Sequence, residues 1–168
     1  MEDPVPARIR EYADQTVEYV RRALNLTIEF DSNTLPVLDH YLHTVQGATA
    51  ETLRLVIATA GAYFGETVRQ SLGGRWEMQG ETEADWRVVL PTGLNFSPTG
   101  FVAAAIAQSE VADFDAELDA PPRMRPFVEE TLARMGEIPV DEYYSLCNRL
   151  DTLEHVHEVL VAHAAQMM

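Results

Sequence analysis

Five histidines and one oddly placed glutamate are the side chains of this sequence best suited to chemistry. His40 and His43 stand three residues apart, which makes them neighbours on one face of a helix. His155 and His157 are two apart and fall on nearly opposite sides, with His163 roughly 120° round from His157. Glu154 and His157 form the Glu-x-x-His spacing of di-iron bundles, but those centres take two such motifs and two further glutamates, and the sequence holds one. His157-Glu158 meets its next histidine only at His163, so the His-Glu-x-x-His helix of zinc peptidases is absent. Across packed helices, His40, His43 and His157 could form a metal site, the weaker alternative to no metal at all. The competing reading of His157, which lies within an apolar stripe, is a partly buried neutral imidazole held by a hydrogen bond.

Glu66 follows Gly65 on a segment whose preceding residues are nearly all apolar. A carboxylate there must be partly buried, and buried carboxylates need partners. Arg69 at i+3 and Arg75 just past the segment are the candidates. One reading is a carboxyl with a raised pKa acting as acid or base. The other is a structural ion pair tying a helix to the following strand. Trp76 and Trp86 would line a pocket or simply stabilise paired strands. Cys147 has no base beside it in sequence, so a small buried hydrophobe is expected rather than a nucleophile. Tyr63, Glu66, Arg69, Arg75, Trp76 and His157 are thus the candidate functional residues, with no catalytic set and no cofactor expected.

Charge narrows the field further. Acidic residues number 27 against 12 basic ones, for a net charge of −15, and every basic residue is Arg. Nucleic-acid binding rests on clustered cations that displace counterions, and here Arg residues gather only in pairs, so nucleic acid is not an expected partner. An anionic membrane surface is disfavoured for the same reason. No Gly-x-Gly-x-x-Gly occurs, and without Lys a phosphate-binding P-loop is excluded. The all-Arg usage fits a GC-rich genome. The acidity suits a solvated surface or a basic protein partner. Met1-Glu2-Asp3-Pro4 resembles no secretion signal, and the apolar run Leu55–Phe64 is shorter than the ~20 residues of a membrane span. A cytoplasmic protein is expected.

The elements that would position these side chains are mostly helical. Asp3-Pro4 reads as a cap for a helix over 5–24, with Ile9, Tyr12, Ala13, Thr16 and Val20 inward. Leu26, Ile28 and Phe30 alternate as in a short strand or extended arm. Helices are expected over 34–45 and 49–72, the second carrying a small-residue track of Ala58, Gly61, Ala62 and Gly65. Glycines one turn apart cost helix stability and imply close approach by another element. The period then changes to alternation over 75–79 and 85–90, with a third short strand at 94–96. Ser97-Pro98 opens a helix over 98–109. Residues 110–121 read as irregular, anchored by Phe114 and Leu118. Helices follow over 122–135 and 149–166, separated by a short turn capped by Asp141. The sum is one α+β domain over 1–168, with about six helices on a small antiparallel hairpin or three-stranded sheet.

Three segments, Leu35–Leu42 (LPVLDHYL), Gly61–Trp76 (GAYFGETVRQSLGGRW) and Glu142–Leu153 (EYYSLCNRLDTL), together resemble an uncharacterised family of bacterial domains. The resemblance implies a Gly-Ala-Tyr-x-Gly-Glu helix, a Gly-Gly-x-Trp turn into a strand and a Tyr-rich segment before the last helix. It implies no activity. It marks Gly61, Tyr63, Gly65, Glu66, Gly74 and Trp76 as matching positions, all of which also read as packing and capping residues.

The expected function is a non-catalytic binding module, an acidic partner of a basic protein in the manner of an immunity protein or chaperone-like accessory. The alternative is a small-molecule or metal-dependent enzyme, which requires a pocket where Glu66, Tyr63 and a histidine converge. A third expectation is a homodimer using the Ala58/Gly61/Gly65 track as its interface.

Overall fold

Thr49 opens and Gly73 closes the longest helix, α3 (Ala50–Leu72). The Thr49 hydroxyl accepts from the Thr52 N–H at 3.2 Å. Gly73 takes the left-handed conformation at φ 80° and donates its N–H to the Arg69 carbonyl. The computed structural model that shows this describes residues 5–78, 80 and 82–166, with the side chains of Val140 and Asp141 left aside. The expected caps at Asp3-Pro4 and Asp141, and the strand end at Gln79, lie outside that description.

Around α3 the described residues form α1 (Ala7–Leu24), α2 (Leu35–Thr44), α4 (Pro98–Ala107), α5 (Arg125–Arg134), a one-turn α6 (Val140–Tyr143) and α7 (Leu146–Gln166). They pack on a three-stranded antiparallel sheet of β1 (Arg75–Glu77), β2 (Arg87–Val89) and β3 (Asn95–Phe96), ordered β1-β2-β3. The fold is α+β. Trp76, Val88 and Phe96 share one register line and face the core. An isolated bridge from Asn95 to Asp119 ties the 110–121 segment to the sheet edge. No described helix is long and apolar enough to cross a membrane.

Several elements differ from expectation for local reasons. Residues 26–30 form no strand; Ile28 is buried, but Phe30 turns to φ 57° and stacks on Tyr63 with ring centroids 4.4 Å apart. Its N–H donates to the Tyr63 hydroxyl at 2.7 Å. Helix α4 buries every residue from Pro98 to Ile106, not one stripe, because its side chains are apolar or small all round. Helix α5 begins three residues late, since the Pro121 carbonyl first accepts from Met124 and Arg125 in a turn. Helix α7 begins three residues early. The Ser145 hydroxyl accepts from the Asn148 N–H at 3.1 Å, and the Asp39 carboxylate, reaching from α2, accepts from the N–H groups of Leu146 and Cys147 at 2.7 and 3.0 Å. Asp39 thereby satisfies two of the orphan donors every helix start carries and places a negative charge against the helix dipole.

The small-residue track is occupied within the chain. A β-carbon on Gly61 would lie 2.6 Å from Thr99 Cγ2, and one on Gly65 would lie 2.6 Å from Trp76 Cζ2. The start of α4 and the indole of β1 fill the space that an interface with a second copy would need. Ala58 too is buried. The track is an internal seam, which corrects the expectation that it forms a dimer face.

Because Asp39 caps α7 through two backbone bonds, Asp39→Ala is expected to cost about 1–3 kcal/mol. The midpoint of urea unfolding, compared with that of His40→Ala on the exposed side of the same helix, measures this.

Candidate functional site

Glu66 is 4% exposed, and both its oxygens are fully engaged. Arg69 donates from Nε at 2.6 Å to one oxygen and from Nη2 at 3.1 Å to the other. Gln70 Nε2 adds a bond at 3.1 Å, and the Trp76 indole N–H donates at 2.7 Å. Burial pushes the carboxyl pKa up, but the bonds from Arg69, Trp76 and Gln70 outweigh it and hold the group below its ordinary value. The raised pKa of an acid catalyst is therefore not what this site produces. The arrangement is an ion pair with an indole clamp, joining α3 to β1.

The other candidate residues scatter. Arg75 turns outward to Glu77 at 3.0 Å, and takes no part in the Glu66 cluster. Tyr63 is fully buried, but its hydroxyl and ring are taken up by Phe30 and not by the Glu66 cluster. His157 Nδ1 lies 3.0 Å from the Thr92 hydroxyl, and burial lowers its pKa against the pull of Glu158, which favours the neutral imidazole. His43 Nδ1 meets Gln108 at 3.2 Å. Among the described residues no group of three His, Cys, Asp or Glu stands close enough to hold a metal ion. Trp76 and Trp86 meet edge to face at 6.5 Å, packed in the core. Cys147 is pushed up to about 12 by burial and by the Asp39 and Asp151 carboxylates, so its thiolate is scarce.

The concavity lies elsewhere. A cavity of about 470 Å³ opens between the 110–121 segment, α5 and the start of α7. Its apolar wall is Leu118, Val128, Leu132, Met135 and Ile138, and the acidic residues Glu110, Glu117 and Glu129 stand around it, exposed. Also lining it is Arg149, 7% exposed and on the inward face of α7 one turn from Leu146 and Leu153. The guanidinium carbon lies 4.7 Å from the Phe101 ring centroid, 4.8 Å from Tyr143 and 5.2 Å from Tyr144. These rings cover its faces, as cation–π geometry favours. Among the described residues no carboxylate pairs with it, and its buried Nε has no hydrogen-bond partner. Burial draws its pKa down while Tyr143, Tyr144 and Glu110 draw it up; an arginine stays charged through such shifts.

Reading the sequence for histidines and glutamates passed over Arg149. The signal was present: an arginine at i+3 from Leu146 and beside Leu150, on the apolar stripe of the last helix, just after a Tyr-Tyr pair. Compared with protein-family models, curated proteins and solved structures, the chain matches none.

Two outcomes check the Glu66 account. Trp76→Phe keeps a ring against Gly65 but removes the N–H donor, so a loss of about 1.5–3 kcal/mol is expected from one bond to a charged group. The second concerns acid. A carboxyl held below its unfolded value contributes stability that is complete above about pH 4.3 and drains as pH falls through the folded value. Glu66→Gln should flatten that acid limb in urea midpoints taken from neutral pH to pH 3, and an unchanged limb would refute the assignment. Cys147 supplies a third: iodoacetamide at pH 8 should label it about a thousandfold more slowly than a free cysteine, by mass spectrometry of the native protein.

Proposed function

We propose that this chain is a non-catalytic binding module, and that the acidic mouth of the Arg149 cavity is where a basic protein docks. The observation that carries the reading is the cavity itself: apolar walls for contact area, open to solvent, with Glu110, Glu117 and Glu129 exposed around it. Pockets that bind are concave, largely apolar and furnished with a few placed polar groups. The net charge of −15 supports a cationic partner, since complementary fields speed encounter and exclude wrong partners. An immunity-like or chaperone-like accessory role in the cytoplasm fits this chemistry.

An enzyme built on Glu66 has less support. Every lone-pair direction of that carboxylate is directed at Arg69, Gln70 or Trp76, and no histidine reaches it. The cavity contains neither Glu66 nor any histidine.

The test is affinity capture at about 50 mM salt with elution at about 0.5 M, where surface attraction is screened. A basic protein should bind the wild type and be released by salt. The variant Glu110→Gln/Glu117→Gln/Glu129→Gln, altered only at exposed positions, should retain about a tenth of it or less. Equal retention by the variant overturns the docking site.

A further inference from the structure

We infer that the Arg149 cavity receives the free C-terminal carboxylate of a polypeptide whose last side chain is apolar and whose preceding residues are basic. The inference rests on the reading of this cavity as the binding site. It goes further by naming the group that enters.

Arg149 sets the first requirement. A buried guanidinium with its faces covered by Phe101, Tyr143 and Tyr144 has only its terminal nitrogens to turn to the cavity; Tyr143 supplies one hydrogen bond, no carboxylate among the described residues pairs with the charge, and the inaccessible Nε has no partner. An unmet buried donor on a charged group is costly, and a planar carboxylate is the acceptor whose geometry matches it. The second requirement comes from the acidic residues. Arg125, which also lines the cavity, is paired with Asp119 at 3.2 Å, so Glu110, Glu117 and Glu129 leave the mouth net negative and disfavour a simple anion; the carboxylate must arrive on a molecule that is cationic elsewhere. A simple cation fails in turn, because Arg149 repels it at the floor. The apolar wall of Val128, Leu132, Met135 and Ile138 adds a third requirement, an apolar side chain close to the carboxylate. A chain terminus ending in a leucine-like residue after arginines or lysines meets all three. The volume of about 470 Å³ admits the last residue or two and leaves the basic ones outside among the glutamates. Capture of a terminal carboxylate by fixed donors is an established mode of peptide recognition.

The probe is a fluorescently labelled peptide of sequence Arg-Gly-Arg-Leu with a free C-terminus, followed by anisotropy. Wild-type protein should bind the acid at least about tenfold more tightly than the same peptide as its C-terminal amide, one charge-assisted bond pair being the difference. Arg149→Met, of similar shape and checked for folding by circular dichroism and melting temperature, should bind acid and amide alike. Leu132→Asp alters a residue that is 39% exposed, so it leaves the core intact; it should weaken the acid peptide about tenfold or more. Equal affinity of wild type for acid and amide overturns the inference, while salt-dependent capture of a basic protein in the preceding experiment would still stand. Free leucine binding as tightly as the peptide also overturns it, in favour of a small-molecule site. If Arg149→Met does not fold, an unchanged acid affinity in Leu132→Asp overturns it by itself.

Discussion

The indole of Trp76 lies against the bare backbone of Gly65 and donates to Glu66 one residue on, and much of the packing follows from this contact. A side chain at Gly65 would drive the ring away, and the carboxylate would lose a bond in surroundings where water cannot replace it. With the ring seated, β1 is held against α3, and the sheet follows because Trp76 pairs with Val88 and Val88 with Phe96. Pro98 and Thr99 then close over the same glycine seam, which brings the wholly buried α4 against α3. Tertiary contact here compensates for two glycines that weaken the helix in isolation.

Much of this was legible in the residues. Helical spacing located the long helices, and Ser97-Pro98 marked a start. The glycine track announced a close approach. What it did not announce was which element approaches, because a small-residue seam looks the same whether the neighbour is α4 or another copy. The early start of α7 was hidden for a related reason. Ser145 alone is an ordinary cap, and the decisive carboxylate, Asp39, lies more than a hundred residues away in sequence. Long-range capping has no local pattern. Alternation at Leu26, Ile28 and Phe30 left a strand and an extended arm open; the segment is no strand, and Phe30 turns and stacks on Tyr63.

The candidate site was only half visible. Glu66, Arg69 and Trp76 were found by asking where a charge must be buried, and they do converge. Tyr63, Arg75 and His157 do not join them, because each is engaged elsewhere: Tyr63 with Phe30, Arg75 with Glu77, and His157 on α7 with Thr92. Arg149 escaped because arginine on an apolar stripe is easily read as a snorkelling surface residue, its stem inside and its head in water. The Tyr143–Tyr144 pair was the clue that the head stays in.

Glu66 and Arg149 are both charged, both nearly inaccessible, and solved differently. Buried charges are tolerated when their hydrogen-bonding capacity is met. Glu66 meets it entirely from its own chain, and a group so completely satisfied has little left to offer a ligand. Arg149 is compensated on its faces by aromatic rings but not at Nε. Had only stability been at issue, a leucine or methionine at that position would bury the same volume without the desolvation cost. Arg149 lines the cavity, and the carboxylates around its mouth do not pair with it. It is on this asymmetry between the two buried charges, more than on the overall acidity, that the proposal of a binding site at the start of α7 rests.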